Sequence, residues 1–196
     1  MRKSKRQIWF YALMSLCVLG SGACDGVRSK LSANGKNYDS LFLGISLGME
    51  KQAFYDHCWE LNRLKVFSQG PKNQEVQYML KNELDAPVYM RFYPNFYRDK
   101  IVDMPVLFSY EAWAPWNKQY SADTLFVNIL PLFKKWYGDD FKLLEHPTMG
   151  KVYYKFDGKR RINLFIRDDQ VVQAVFTDME LANERKRNGD NEGSVN

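Results

Sequence analysis

Residues 151–166 read "KVYYKFDGKRRINLFI", two runs rich in Tyr, Phe, Val and Ile with Asp157-Gly158 between them. A type I′ turn needs positive φ at both central positions, so Asp-Gly between alternating apolar runs is the strongest short hairpin signal a sequence offers. The stretch predicts two antiparallel strands joined tightly at Asp157-Gly158. Downstream, "VVQAVFTD" after Asp168-Asp169 extends the hairpin into a meander. A short helix over Met179 to Arg187 follows, its cations at the end that the helix dipole favours.

Upstream of the hairpin, Leu125, Ile129, Leu132 or Phe133 and Trp136 recur at helical spacing. They predict a helix that opens at Ser121 or Asp123, faces those residues inward and stops at Gly138, with a kink at Pro131, which lacks a backbone donor. The first half has the same order. "SLGMEKQAFYDHCWELNRL" carries Phe54, Cys58, Leu61 and Leu64 on one stripe, with Ser46 or Gly48 as the opening residue. Three extended runs follow, "EVQYML", "PVYMRFY" and "KIVDMPVLFSY", separated by turn formers at 82–87 and 94–99. In the third, Pro105 implies an edge position or a bulge. The expected fold is therefore α+β, two helix-plus-antiparallel-sheet halves (38–112 and 113–187) forming one compact domain at 38–187.

That order is similar to the fold of β-lactamase-inhibitor proteins, which are built from two helix-plus-sheet repeats. The start of the first helix, "GISLGMEKQAF", resembles the "G-M-T-K-x-x-V" helix start of the small lipoprotein of the outer-membrane barrel-assembly machinery, with Glu50 where the threonine stands. Both resemblances bear on the fold.

Before the domain, Arg2, Lys3, Lys5 and Arg6 precede an apolar run from Ile8 to Leu19, and Gly20 to Ala23 are small. Basic head, short apolar core and small-residue exit make residues 1–23 a signal peptide. The run is shorter than the roughly 20 apolar residues that a spanning helix needs. Its exit, "SGAC", resembles the lipobox of bacterial lipoproteins, with Ser21 where Leu, Val or Ile is usual. The resemblance implies that Cys24 is lipidated and becomes the first residue of a membrane-anchored chain. Residues 24–37, polar and rich in Gly, Ser and Asn, read as a flexible tether that sets the domain on the order of 20 Å from the lipid. Residues 188–196 read as a disordered tail. The expected location is the cell envelope, at the outer membrane, facing either the periplasm or the surface.

The formal charge of +5 and pI near 9.0 invite a nucleic-acid reading. Four of the 28 cations lie in the signal, however, which leaves 24 against 23 acids and no basic block in the body. Phosphate-binding surfaces need clustered Lys and Arg, so no nucleic-acid partner is expected. Once Cys17 leaves with the signal and Cys24 carries lipid, Cys58 has no thiol left to pair with.

No catalytic, cofactor or metal residues emerge. His57 and Cys58 are adjacent on a helix and point about 100° apart, which suits no nucleophile and base pair. Asp139-Asp140 and Asp168-Asp169 sit in turn chemistry, and "KRR" at 159–161 reads as a solvated strand end. "YEAWAPWNKQY" at 110–120 gathers Tyr110, Trp113, Trp116 and Tyr120 between the halves. Exposed, these rings would form a ligand or partner platform; turned inward, they would staple the halves together. "FYPNFYRD" at 92–99 carries the same two readings. The expected function is a non-catalytic binding or scaffold module, with an envelope protein as partner; the alternative is glycan or small-ligand capture through the Trp113 and Trp116 loop.

Overall fold

The computed structural model describes residues 38–189 apart from residue 73. The expected signal peptide (1–23), the tether with Cys24 (24–37) and residues 190–196 of the tail lie outside the described residues.

Among the described residues, the chain forms three helices and one nine-stranded antiparallel sheet, an α+β fold. The elements are α1 (Lys51–Arg63), β1 (Ser68–Gln69), β2 (Val76–Leu80), β3 (Val88–Phe92), β4 (Asn95–Tyr97), β5 (Lys100–Tyr110), α2 (Ala122–Tyr137), β6 (Lys142–His146), β7 (Gly150–Asp157), β8 (Arg160–Ile166), β9 (Val172–Asp178) and α3 (Met179–Arg187). Strand order is β1-β2-β3-β5-β9-β8-β7-β6, with β4 on the end of β5. Each half is a helix followed by a meander, and the last strands of the two meanders, β5 and β9, join them at the centre of the sheet.

The hairpin is present, one residue along from its predicted position. Asp157 pairs with Arg160, so the two loop residues are Gly158 and Lys159, and only Gly158 has positive φ (56°). Positive φ at the first central position alone is the type II′ pattern. The side-chain period in a strand is two, so this register keeps Tyr153, Lys155 and Asp157 on the α2 side of β7 and Val152, Tyr154 and Phe156 on the other. Positive φ at both central positions occurs instead at Arg98 (47°) and Asp99 (57°), the loop between β4 and β5.

Pro105 is on a central strand, not an edge. It stands opposite Val175 of β9. On its other side it falls between the Phe92–Val106 pair of β3 and the Asn95–Asp103 pair of β4, where the neighbouring chain breaks. A residue without a donor costs least beside such a break. The bulge lies nearby: Asn95 pairs with Asp103 and Phe96 with Ile101, leaving Val102 as the extra residue. Ile101 therefore joins Met104, Val106 and Phe108 in the main core, whereas Val102 faces α3 with Tyr97 and Ala182.

Neither Ser46 nor Gly48 caps α1. Glu50 is the N-cap residue and makes no side-chain cap bond, while the Lys51 amide donates to the Asp99 carbonyl at 2.7 Å. Phe54 is buried, Cys58 and Leu61 half-buried, and Leu64 lies past the helix end, exposed. In α2 the Ser121 hydroxyl accepts from the Thr124 amide and Gly138 (φ 99°) ends the helix as expected. Leu125, Ile129, Leu132 and Phe133 face inward, whereas Trp136 is 37% exposed, with its ring 6.0 Å from that of Phe133. Ahead of α1, residues 38–50 form a strap that seats Leu41, Ile45 and Leu47 in the core. Phe42 reaches both halves, its ring edge-on to Phe92 at 5.0 Å and to Phe176 at 6.0 Å.

Candidate functional site

α1, α2 and the strap cover one face of the sheet, where Leu80, Val88, Met90, Val106, Phe108, Ile162, Leu164, Ala174 and Phe176 are buried. On the opposite face α3 is, among the described residues, the one helix, and it packs at the Asp103 end: Ala182 meets Val102, and Arg185 pairs with Asp103 at 3.1 Å. The rest of that face is a set of cross-strand rows. The longest runs Ser68, Gln77, Arg91, Leu107, Gln173, Phe165, Val152, Leu144, one residue from each of eight neighbouring strands. A second runs Pro105, Val175, Asn163, Tyr154, Lys142. Phe165 and Val152 are buried, Leu107, Val175, Asn163, Gln173, Arg91 and Tyr154 are half-buried, and Phe156 and Leu144 at the β6–β7 edge are exposed. Aromatic rings and arginine within an apolar patch are the composition of a protein interface centre. At one margin Tyr89 donates to Glu111 at 2.9 Å, a bond that raises the phenol's pKa.

The aromatic loop divides. Tyr110 is buried, with its hydroxyl accepting from Asn128 Nδ2 at 3.0 Å and its ring 5.1 Å from Tyr120. Trp113 packs against the main core. Trp116 is 84% exposed. Three of the four rings are thus held inward, and one indole stands free. The turn at 92–99 is similarly internal: Tyr93 and Phe96 pack with Phe54, and the Tyr93 hydroxyl lies 2.8 Å from that of Tyr55. Burial and this bond push Tyr93 up to about 12.

His57 and Cys58 are engaged separately. His57 Nε2 lies 2.7 Å from the Leu43 carbonyl oxygen, occupied with the strap. Burial pushes the Cys58 thiol up to about 12, away from the thiolate that nucleophilic or ligand chemistry requires. Among the described residues no group of three or more His, Cys, Asp or Glu side chains could hold a metal ion. Also among them, no helix is long and apolar enough to cross a membrane.

Two features were missed in the sequence. Trp59, 68% exposed on α1, overhangs a groove of about 490 Å³ between that helix and the β1–β2 edge. The "KRR" segment is not a solvated strand end. Arg160 is buried, bonded to Asp157 at 2.7 Å, and Lys159 reaches the fully buried carboxylate of Asp178 at 3.0 Å. That carboxylate also caps α3 through the Glu180 and Leu181 amides. Its partner could have been guessed only from the turn register, which sets where the three cations point.

No protein-family model matches the chain, and no curated protein or solved structure matches it.

Proposed function

We propose that the chain is a lipid-anchored protein of the cell envelope that binds a protein partner through the open face of its sheet and performs no chemistry of its own. The observation that carries this reading is the pair of cross-strand rows on the face opposite α1 and α2, where Phe156 and Leu144 are exposed and Arg91, Leu107, Gln173, Val175 and Tyr154 half-buried, with, among the described residues, one helix over one end. Lipid on Cys24 would confine the domain to a membrane surface and raise its effective concentration near a partner held there.

The test is site-specific photo-crosslinking in cells, with the reactive residue at Gln173 or Tyr154 on the open face and at Val127 on exposed α2 as the control. Discrete adducts from the first two and none from Val127 are expected; the reverse pattern overturns the reading. Cys24→Ala should abolish lipid labelling, and labelling that survives it removes the anchor. The exposed indole of Trp116 favours a second reading, glycan or small-ligand capture. Its discriminating result is sugar retention that is lost in Trp116→Ala while adducts at Gln173 persist.

A further inference from the structure

Where the strap crosses the end of α2, a cavity of about 650 Å³ opens on the covered side of the sheet. Its walls are aromatic: Tyr38 from the strap, Trp136 and Tyr137 from the last turn of α2. Its floor is ionic. Lys155 Nζ lies 3.0 Å from Asp157 Oδ1, and Arg160 Nη2 donates to Asp157 Oδ2 at 2.7 Å. All three side chains are less than one-tenth exposed. At the mouth, Asp140 supplies a second carboxylate to Lys155, yet its own side chain is 69% exposed. Two buried cations thus share one buried carboxylate, and the remaining charge is balanced by a group that stands mostly in water.

An unpaired charge away from water is costly, so the floor demands one further negative charge. Asp140 meets that demand with a weak hold. An ion pair whose partner is largely solvated contributes little, because water takes over when the carboxylate swings away. Gly138 (φ 99°) lets the chain pass close to this pair: a Cβ there would stand 3.2 Å from Lys155 Nζ and 3.4 Å from Asp140 Oδ1. Arg160 also retains an Nε donor with no partner among the described residues. The volume lies in the range of small-molecule sites, about 300–1,000 Å³.

We propose that this cavity binds a small organic monocarboxylate, whose carboxylate takes the place of Asp140 on Lys155 and whose flat apolar body lies among Tyr38, Trp136 and Tyr137. The match is one of charge count and shape. With Asp140 turned out, Lys155 and Arg160 against Asp157 leave a single positive charge, enough for a monoanion and too little for a polyanion. Arg160 is already stacked 5.1 Å from the Tyr137 ring and 5.9 Å from that of Tyr38, so the walls are held in position before a ligand arrives. The site is separate from the open sheet face and does not depend on it.

The experiment is isothermal titration calorimetry of the purified full chain with phenylacetate and, as its neutral counterpart, phenylacetamide. Phenylacetate is expected to bind at least tenfold more tightly than the amide. Asp140→Asn removes the internal competitor, whose side chain is 69% exposed, and should tighten phenylacetate about three- to fivefold while leaving the amide unchanged. Lys155→Met should abolish carboxylate binding; should that variant fail to fold, the acid-to-amide comparison on the unaltered chain decides. Equal affinity for acid and amide overturns the proposal. So does absence of phenylacetate binding to both the unaltered chain and Asp140→Asn, or weaker binding in Asp140→Asn.

Discussion

Arg160 Nη1 donates to the carbonyl oxygen of Ser40 at 2.7 Å, tying the β7–β8 hairpin to the strap, 120 residues earlier in the sequence. Its second arm holds Asp157, and its plane lies over Tyr137, whose own hydroxyl donates to the Leu41 carbonyl at 3.1 Å. One guanidinium therefore joins the strap, α2 and the hairpin. Arg160→Ala should destabilise the domain by about 3 kcal/mol in urea unfolding, the usual cost of breaking a buried pair. Arg160→Lys should recover part of that, keeping the charge and losing the planar fork.

The turn register separates two outcomes. With Asp157-Gly158 as the central residues, Asp157→Asn would be harmless, because Asn suits a type I′ turn. In the observed register Asp157 is the shared buried carboxylate of Lys155 and Arg160, and Asp157→Asn should cost about 3 kcal/mol. Gly158→Ala should cost about 2 kcal/mol through its positive φ, with the added methyl only 3.3 Å from the Tyr38 ring. Thermal denaturation of the two variants checks both.

Substituting the two loop tryptophans singly should give unequal effects. Trp113→Ala removes a ring that packs on the core and should cost about 2–3 kcal/mol. Trp116→Ala should lie within about 0.5 kcal/mol of the unaltered protein. Equal melting temperatures for the pair would contradict the inward position of Trp113.

Cys58 should resist alkylation at pH 8, since burial pushes its thiol up to about 12 and leaves almost no thiolate. Mass-spectrometric mapping of the Cys58 peptide after iodoacetamide treatment should show little label in buffer and full label in urea.

The domain should be sensitive to alkali. Burial works against the Lys155 ammonium, but bonds to Asp140 and Asp157 outweigh it and hold its pKa above the ordinary 10.5. Lys159 is raised in the same way by Asp178 and Asp39. Burial also raises the Tyr137 phenol above its ordinary 10.0. Groups raised on folding contribute stability that is complete below their unfolded values and lost as pH rises through the folded ones. Unfolding followed by circular dichroism should therefore be flat to about pH 10 and weaken above it. At the acid end the bond from Lys155 lowers Asp140, so its contribution persists above the ordinary 3.8 and fades only below.

The periodic elements were legible because their signals are local. Ser121 and Gly138 bound α2 as the sequence implied, and α3 spans the expected residues. What escaped depends on contacts. "KLLEH" forms β6 with no β-branched residue and no buried one, paired to β7 at the sheet edge. Arg98 and Asp99 adopt left-handed conformations because the β4–β5 register demands them, although glycine is absent. Pro105 sits in a central strand because β3 stops beside it. At the cavity, Asp157 read as a central turn residue and Arg160 as part of a solvated strand end; only the one-residue register and the returning strap turn them inward. The aromatic loop was legible as a cluster and illegible in direction, since spacing alone does not tell Trp113 from Trp116.

The seam between β5 and β9 also sets when the protein can become whole. β5 ends at Tyr110, and its partner does not begin until Val172, with α2 and three further strands between them. During synthesis, the first half emerges with its longest strand bare along one side and has no means of closing it. Such late, distant pairing places folding in the slow range of milliseconds to seconds. It also makes the unsheltered β5 edge, and not either finished margin of the sheet, the place where an incomplete chain is open to capture by a helper or to clumping with its neighbours.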